Sequence, residues 1–354
     1  MRTIISNDFV ISDRCGVVEN RHAVHAAVVD STGKLIYTLG DPSRITLARS
    51  AAKPAQAVAI QEAGAFERFN FDDADLALMC ASHSSEDRHI SRAHEILLKV
   101  GAREEDLKCG GHPPVSEAVH HSWIKAGFIP TPACSNCSGK HAGMIAATIA
   151  LGADVGSYHS SDHPMQLRIR RTVNEICGLG EQESTWGLDG CNLPAPAFPL
   201  RFLSRMYASF ASAADSDRQD ESPRIKAQAS IFRAMSQEPY FVAGDDRFCT
   251  ILMQAFQGLV IGKLGADGCY GVGIRQSERT RQLGAEGGIG IAVKIEDGNI
   301  GILYSAVTEI LEQLQIGESY MRRQLDKFHS PEIKNTVGVV TGKVSPTFTL
   351  HNVQ

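Results

Sequence analysis

The chain contains three Ser-x-x-Lys spacings: Ser31–Lys34, Ser50–Lys53 and Ser122–Lys125. Residues three apart share a face of a helix, so hydroxyl and amine can meet there, and an unprotonated lysine can take the proton of a serine nucleophile. Ordinary composition yields about one such spacing in a chain of this size, so context must choose among them. Ser31 falls in the turn Asp30-Ser31-Thr32-Gly33 between two apolar runs, and Ser122 on an exposed helix. Only Ser50–Lys53 sits at a helix start with small residues between the pair. Pro54 fixes that start, because proline is tolerated only in the first turn. Ser50 is then expected at or beside the N-cap, with Gly64 as the C-terminal stop. The partial positive charge of a helix start favours an alkoxide or a neutral lysine over an ammonium.

Further reactive groups follow. Asp75–Ala81 reads as a short buried strand, ending in Ser82-His83-Ser84-Ser85-Glu86-Asp87. Hydroxyls and a histidine directly after an apolar element are where an α/β protein places active-site groups, and Ser84 or Ser85 also suits the cap of the helical pattern that comes next. Cys134-Ser-Asn-Cys137-Ser-Gly-Lys140-His141 has Cys-x-x-Cys spacing. No second such pair follows, which argues against a four-cysteine zinc site. A helix beginning near Ser138 places Cys137, Lys140 and His141 in its first turn, where a thiol is more acidic. Asp189-Gly-Cys191 follows a short strand. Lys263 interrupts an apolar, glycine-rich run, where a lysine is costly unless paired or neutral; the alternative is an edge-strand lysine that reaches water.

These groups need a scaffold, and the chain is long enough for one. It has 354 residues, a net charge of −5, 43% hydrophobic and 21% charged residues, the profile of a soluble globular protein with no nucleic-acid signature. No apolar stretch suits a signal peptide or a membrane span. Nine cysteines without a secretory signal imply reduced thiols and a cytoplasmic protein. Residues 17–38 read as two strands around the turn at 30–33, with Glu19, His22 and His25 facing solvent. Residues 163–177 and 199–213 read as helices, 214–223 as a polar loop, and 287–302 as a hairpin with an Asp297-Gly298 turn. The order of elements implies an α/β fold in which both chain ends build one sheet around inserted helices.

Taken together, Arg49-Ser50-Ala-Ala-Lys53-Pro54, Cys80-Ala-Ser82-His83, Cys137-Ser-Gly-Lys140-His141, Asp189-Gly-Cys191 and Gly262-Lys263-Leu-Gly-Ala-Asp-Gly resemble the motifs of the rhizobial-type, or class 3, L-asparaginases, in order and spacing, from about residue 10 to 345. The resemblance implies one asparaginase domain over 1–354, with a helical middle at roughly 50–240 and a largely antiparallel sheet, similar to serine β-lactamases and penicillin-binding proteins. It implies a homodimer that hydrolyses L-asparagine, with no nucleic-acid or membrane partner. The catalytic residues it implies are two Ser–Lys pairs, Ser50 with Lys53 and Ser82 with Lys263. The metal ligands it implies are Cys137, Lys140 and Cys191 around Zn2+. Arg49, His141, Asp189 and Cys249 are implied as substrate contacts. Two adjacent lysines disfavour each other's charge, so one can be neutral near pH 7 and act as base. Ser50 is better placed on the helix start, while Ser82 has His83 beside it; the reading adopted takes Ser50 as nucleophile and Ser82 as proton relay. The alternatives are another serine amidohydrolase or esterase (a glutaminase or a β-lactamase-like enzyme), which would not need the cysteines, and a non-catalytic zinc or amino-acid binding protein, which would not need Ser50.

Overall fold

The structure is a computed structural model, describing residues 8–353 apart from 181, 217 and 219. Two of the ten residues assigned to the polar loop at 214–223 thus lie outside the described residues. The chain forms two compact units. One comprises residues up to Ala51, Phe198–Asp215 and Ile251 onward; the other comprises Ala52–Ala197 and Ser216–Thr250.

The first unit is a mixed α/β arrangement. Among the described residues, nine strands form its sheet, drawn from both ends of the chain, and the pairings between them are antiparallel. The long strand Val17–Asp30 organises it. Its first half pairs with Phe9–Arg14, and its second half lies between Leu35–Leu39 and Ile289–Ile295. Ile289–Ile295 is buried at every position, and its near-continuous apolar sequence reflects a helix on each face. The helix Leu200–Ala214 packs on one face and Ile300–Gln313 on the other. Glycines in the strands let the first helix come close. A Cβ at Gly290 would run into the Ser204 carbonyl, and one at Gly271 into the Tyr207 ring. Ser204 Oγ uses that closeness to donate to the carbonyls of Ala27 (3.1 Å) and Gly290 (2.7 Å).

The second unit is mostly helical. Lys53–Glu62 is buried from Lys53 to Ile60 and packs against Asp73–Met79, Ser138–Ala150, Pro164–Cys177 and Pro223–Gln237. Gly139 lies against the Leu78 carbonyl and Gly143 against Met79 and Ile60, so the Ser138 helix seats directly on its two neighbours. Thr185–Leu188 pairs with the strand that starts at Pro194.

Four local expectations are corrected. Asp75–Ala81 is not a strand: Asp73–Met79 is a helix, started by a capping box between Asp72 and Asp75. A short apolar run buried on all sides has no periodicity to tell helix from strand. Residues 287–302 do not form a hairpin. The strand Ile289–Ile295 turns at Asp297-Gly298 into the helix Ile300–Gln313, capped by Asn299. Ser50 is not an N-cap. It lies in a 3-10 turn, Arg49–Ala52, and the α-helix starts at Lys53 with Ala52 as its N-cap. Ser84 and Ser85 do not cap the helix Asp87–Val100, whose N-cap is Glu86.

Candidate active site

Each unit carries part of the expected set. In the second unit, Lys53 heads its helix and is 1% exposed. Burying an amine on this scale is tolerable only when its hydrogens find acceptors. Nζ donates to the Ala81 carbonyl, to Ser82 Oγ (3.1 Å) and to Cys137 Sγ (3.0 Å). That is one acceptor for each hydrogen of an ammonium. In the unprotonated amine, two donors can stay on Ala81 and Cys137 while the lone pair meets the Ser82 hydroxyl. The resemblance paired Lys53 with Ser50; the contact formed here is with Ser82, 29 residues away.

A second cluster surrounds the start of the Ser138–Ala150 helix, whose N-cap is Cys137. Lys140, also 1% exposed, donates from Nζ to Cys191 Sγ (2.9 Å) and faces Asp189 Oδ2 (3.5 Å). Asp189 Oδ1 lies 3.0 Å from Cys191 Sγ and accepts from the N–H groups of Cys191 (2.9 Å) and Leu193 (3.2 Å). The charges follow from these contacts. A hydrogen bond from Cys191 holds the Cys137 thiol well below its usual pKa, and against the opposing effect of burial the charge of Lys140 adds to it. Cys191 is pushed up by that same bond and by burial. Burial opposes the Lys140 charge, but Cys191, Cys137 and Asp189 outweigh it and raise the lysine. Burial acts to raise Asp189, and Lys140 with the Cys191 donors brings it below the ordinary carboxylate range. The cluster thus holds thiolate and carboxylate against ammonium. Among the described residues, no group of three or more His, Cys, Asp and Glu side chains is arranged as a metal site. A metal here would therefore require the amine of Lys140 beside the two thiols.

His141 is fully buried one residue on. Tyr158 donates its hydroxyl to His141 Nδ1 (2.6 Å) while accepting from the Lys108 N–H (2.9 Å). This leaves the ring hydrogen on Nε2, with the Cys191 backbone nearby as an acceptor. Burial, with the nearby Lys140 charge, keeps the ring neutral. Cys249 is buried at the start of the helix Phe248–Phe256.

In the first unit, Ser50 lies half-buried in its 3-10 turn after Arg49, which takes a left-handed φ of 48°. Arg49 pairs with Asp267 (2.5 Å), whose φ is 58°. Non-glycine residues in this region store strain and gather at functional sites. Tyr207 holds the turn from behind by donating to the Ala51 carbonyl (2.8 Å). Lys263 is 1% exposed in the middle of Val260–Gly265, and its Nζ donates to the Leu264 carbonyl (2.8 Å). Its strand ends the sheet order, but the side chain turns inward and does not reach water. Gly265 at the end of that strand lies against Ala48 and Ala51, which brings the Ser50 turn alongside the strand of Lys263.

Sequence reasoning passed over Tyr158, and quoted His83 and Asp267 within motifs without giving either a role. Tyr158 and Asp267 act on the site through contacts 17 and 218 residues apart, for which local spacing carries no signal. His83 stood out with the hydroxyls around it, but its partners did not.

The L-asparaginase II family model matches residues 10–346. No match was found among curated proteins.

Proposed function

Because the chain belongs to the L-asparaginase II family, we propose that it hydrolyses the side-chain amide of L-asparagine to L-aspartate and ammonia, with a serine activated by lysine. The observation that carries this reading is the buried contact between Lys53 Nζ and Ser82 Oγ. Unprotonated Lys53 takes the hydroxyl proton as Oγ attacks the amide carbon. The tetrahedral adduct collapses, the C–N bond breaks, and Lys53 returns the proton to the departing nitrogen as ammonia. Water then attacks the β-aspartyl ester, giving Lys53 a proton that passes back to Ser82 Oγ as aspartate leaves. Ser50, Lys263 and Arg49 come into this proposal from the family motif, and the strained Arg49–Asp267 pair beside Ser50 supports giving them a role. The relationship to serine β-lactamases and penicillin-binding proteins, and the homodimer, belong to the same proposal; the antiparallel sheet with inserted helices supports the former.

The two buried thiols and the amine of Lys140 fit a zinc ion as a donor set, provided the amine gives up its proton. Cys137, Cys191 and Lys140 would hold the ion, which supplies when bound a fixed positive charge able to orient the charged groups of the substrate. Asp189 and the Nε2–H of His141 stand beside that position, the carboxylate suited to an ammonium group and the ring N–H to a carboxylate.

The test is ammonia release from L-asparagine by the purified protein and by Ser82→Ala, Ser50→Ala and Lys263→Ala. Turnover by wild type with collapse in folded variants supports the reading. Inertness toward asparagine alongside hydrolysis of another amide or ester refutes the substrate, and inertness toward all of them refutes the enzyme.

A further inference from the structure

Ser82 begins a buried four-residue loop, Ser82–Ser85, that is pinned from several directions. The Ser82 N–H donates to Val242 O (3.0 Å) and the His83 N–H to Asn136 O (3.2 Å). Ser84 Oγ donates to Ala243 O (2.8 Å) and accepts from Arg247 (3.2 Å). Ser85 Oγ donates to Cys134 O (2.7 Å). Ser85 has a left-handed φ of 59°, a conformation that persists in a non-glycine residue only when its surroundings over-determine it. Its N–H donates to His83 Nδ1 (3.1 Å). Since Nδ1 accepts from a backbone N–H, the ring hydrogen is on Nε2, and Nε2–H donates to Ser138 Oγ (2.9 Å). The ring stacks on His89 at 5.0 Å between centroids. Burial keeps it neutral.

We propose that His83 is a positioning residue for Ser82: its two ring nitrogens bridge the Ser85 N–H and the Ser138 hydroxyl, fixing the serine's loop against the helix start that carries Cys137 and Lys140. A histidine next to a serine in sequence invites assignment as its general base. Here both ring nitrogens are engaged elsewhere, and the hydroxyl of Ser82 is on Lys53. What the site requires of His83 is an acceptor at one end and a donor at the other. This inference rests on the reading of Ser82 and Lys53 as reacting groups.

The experiment combines kinetics of ammonia release with two measurements independent of activity. The variants are His83→Ala, His83→Asn, which keeps an acceptor near Nδ1, and His83→Gln, which keeps a donor near Nε2. Wild-type His83 is expected to show the neutral Nε2–H tautomer by 15N NMR, unchanged from about pH 5.5 to about pH 8.5. His83→Ala is expected to speed hydrogen exchange at the Ser85 amide and to lower kcat roughly 100-fold with KM within about twofold, as for a misplaced reacting group. Asn and Gln should each recover about tenfold of that loss, and they carry the comparison if the alanine variant does not fold. Wild-type kcat in His83→Ala would overturn the proposal. So would a His83 that titrates in this range while His83→Asn loses the acid limb of the pH–rate profile, because the ring would then be moving protons. If wild type releases no ammonia from asparagine, the functional reading fails on its own. Ser85 exchange then decides the bridge: faster exchange in His83→Ala sustains it, and unchanged exchange ends it.

Discussion

Lys53 Nζ and Ser82 Oγ lie 3.1 Å apart, and both side chains are buried. Hydroxyl and amine are held there by separate elements, the first turn of one helix and the loop leaving another. A contact of this kind can transfer a proton without rearrangement.

Removing either partner should therefore abolish turnover without unfolding the protein. Ser82→Ala and Lys53→Met are expected to lose at least about 1000-fold in kcat, within the range for a nucleophile or its base. Lys53→Met is expected to stay folded but to lower the midpoint of thermal unfolding, because the Ala81 carbonyl and the Cys137 sulfur lose their buried donor. Retention of kcat within about tenfold by Ser82→Ala, with a collapse in Ser50→Ala, would transfer the nucleophile's role to Ser50.

The Gly290→Ala substitution tests how the sheet carries its helix. The added methyl would meet the Ser204 carbonyl and the Ala208 N–H, backbone atoms that cannot rotate aside. A cost of about 3 kcal/mol, the upper end for overpacking, is expected in urea unfolding. A change under about 1 kcal/mol would mean that the helix Leu200–Ala214 is free to shift.

The organisation of the chain was legible where one residue type has one physical use. Pro54 marked the first turn of the Lys53 helix, Gly64 its end, and Asp30–Gly33 the turn between Val17–Asp30 and Leu35–Leu39. Where burial is uniform the pattern disappears, so the helix Asp73–Met79 read as a strand. The turn Asp297-Gly298 is plain in the sequence, but the short apolar run after it suits a returning strand as well as the helix that forms. Motif spacing named the residues that converge on Lys53 and Lys140. It did not say which serine Lys53 would meet, because that depends on how the Lys53 helix and the loop after Asp73–Met79 pack.

Acid should destabilise the fold through its buried histidines. His83 and His141 are neutral in the folded state, with pKa values well below 6.5. In the unfolded chain they bind protons below about pH 6.5. The unfolded state then holds more protons, so stability falls as pH drops below that value, by at most about 1.4 kcal/mol per pH unit for each ring. His329 acts in the opposite sense, because its hydrogen bond to Glu309 raises its pKa; its contribution is present below about pH 6.5 and lost as pH rises through the folded value. The difference between wild type and His83→Asn isolates one ring. In urea titrations from about pH 7.5 to about pH 5.5, wild type should lose stability faster than the variant; parallel curves would refute a neutral His83.

Metal content tests the second cluster. The purified protein is expected to retain about one zinc per chain after dialysis, measured by plasma mass spectrometry, and Cys191→Ser or Lys140→Met to weaken binding by at least about 100-fold, since each loses one of only three protein donors. The pH dependence of affinity has a definite sign. Hydrogen bonding to Cys137 and burial raise Cys191, and the surrounding negative groups raise Lys140 despite its burial, so both hold their protons in the metal-free cluster. Zinc must displace those protons, and its affinity should rise with pH by about tenfold per unit for each proton released. Cys137, already biased toward thiolate, adds little to that slope. Calorimetry in buffers of different ionisation enthalpy counts the protons directly. Binding without proton release would mean that Lys140 stays an ammonium and is no ligand. No retained zinc, with KM unchanged in Cys191→Ser, would leave the cluster as a thiolate–ammonium network that shapes the site through its charges alone.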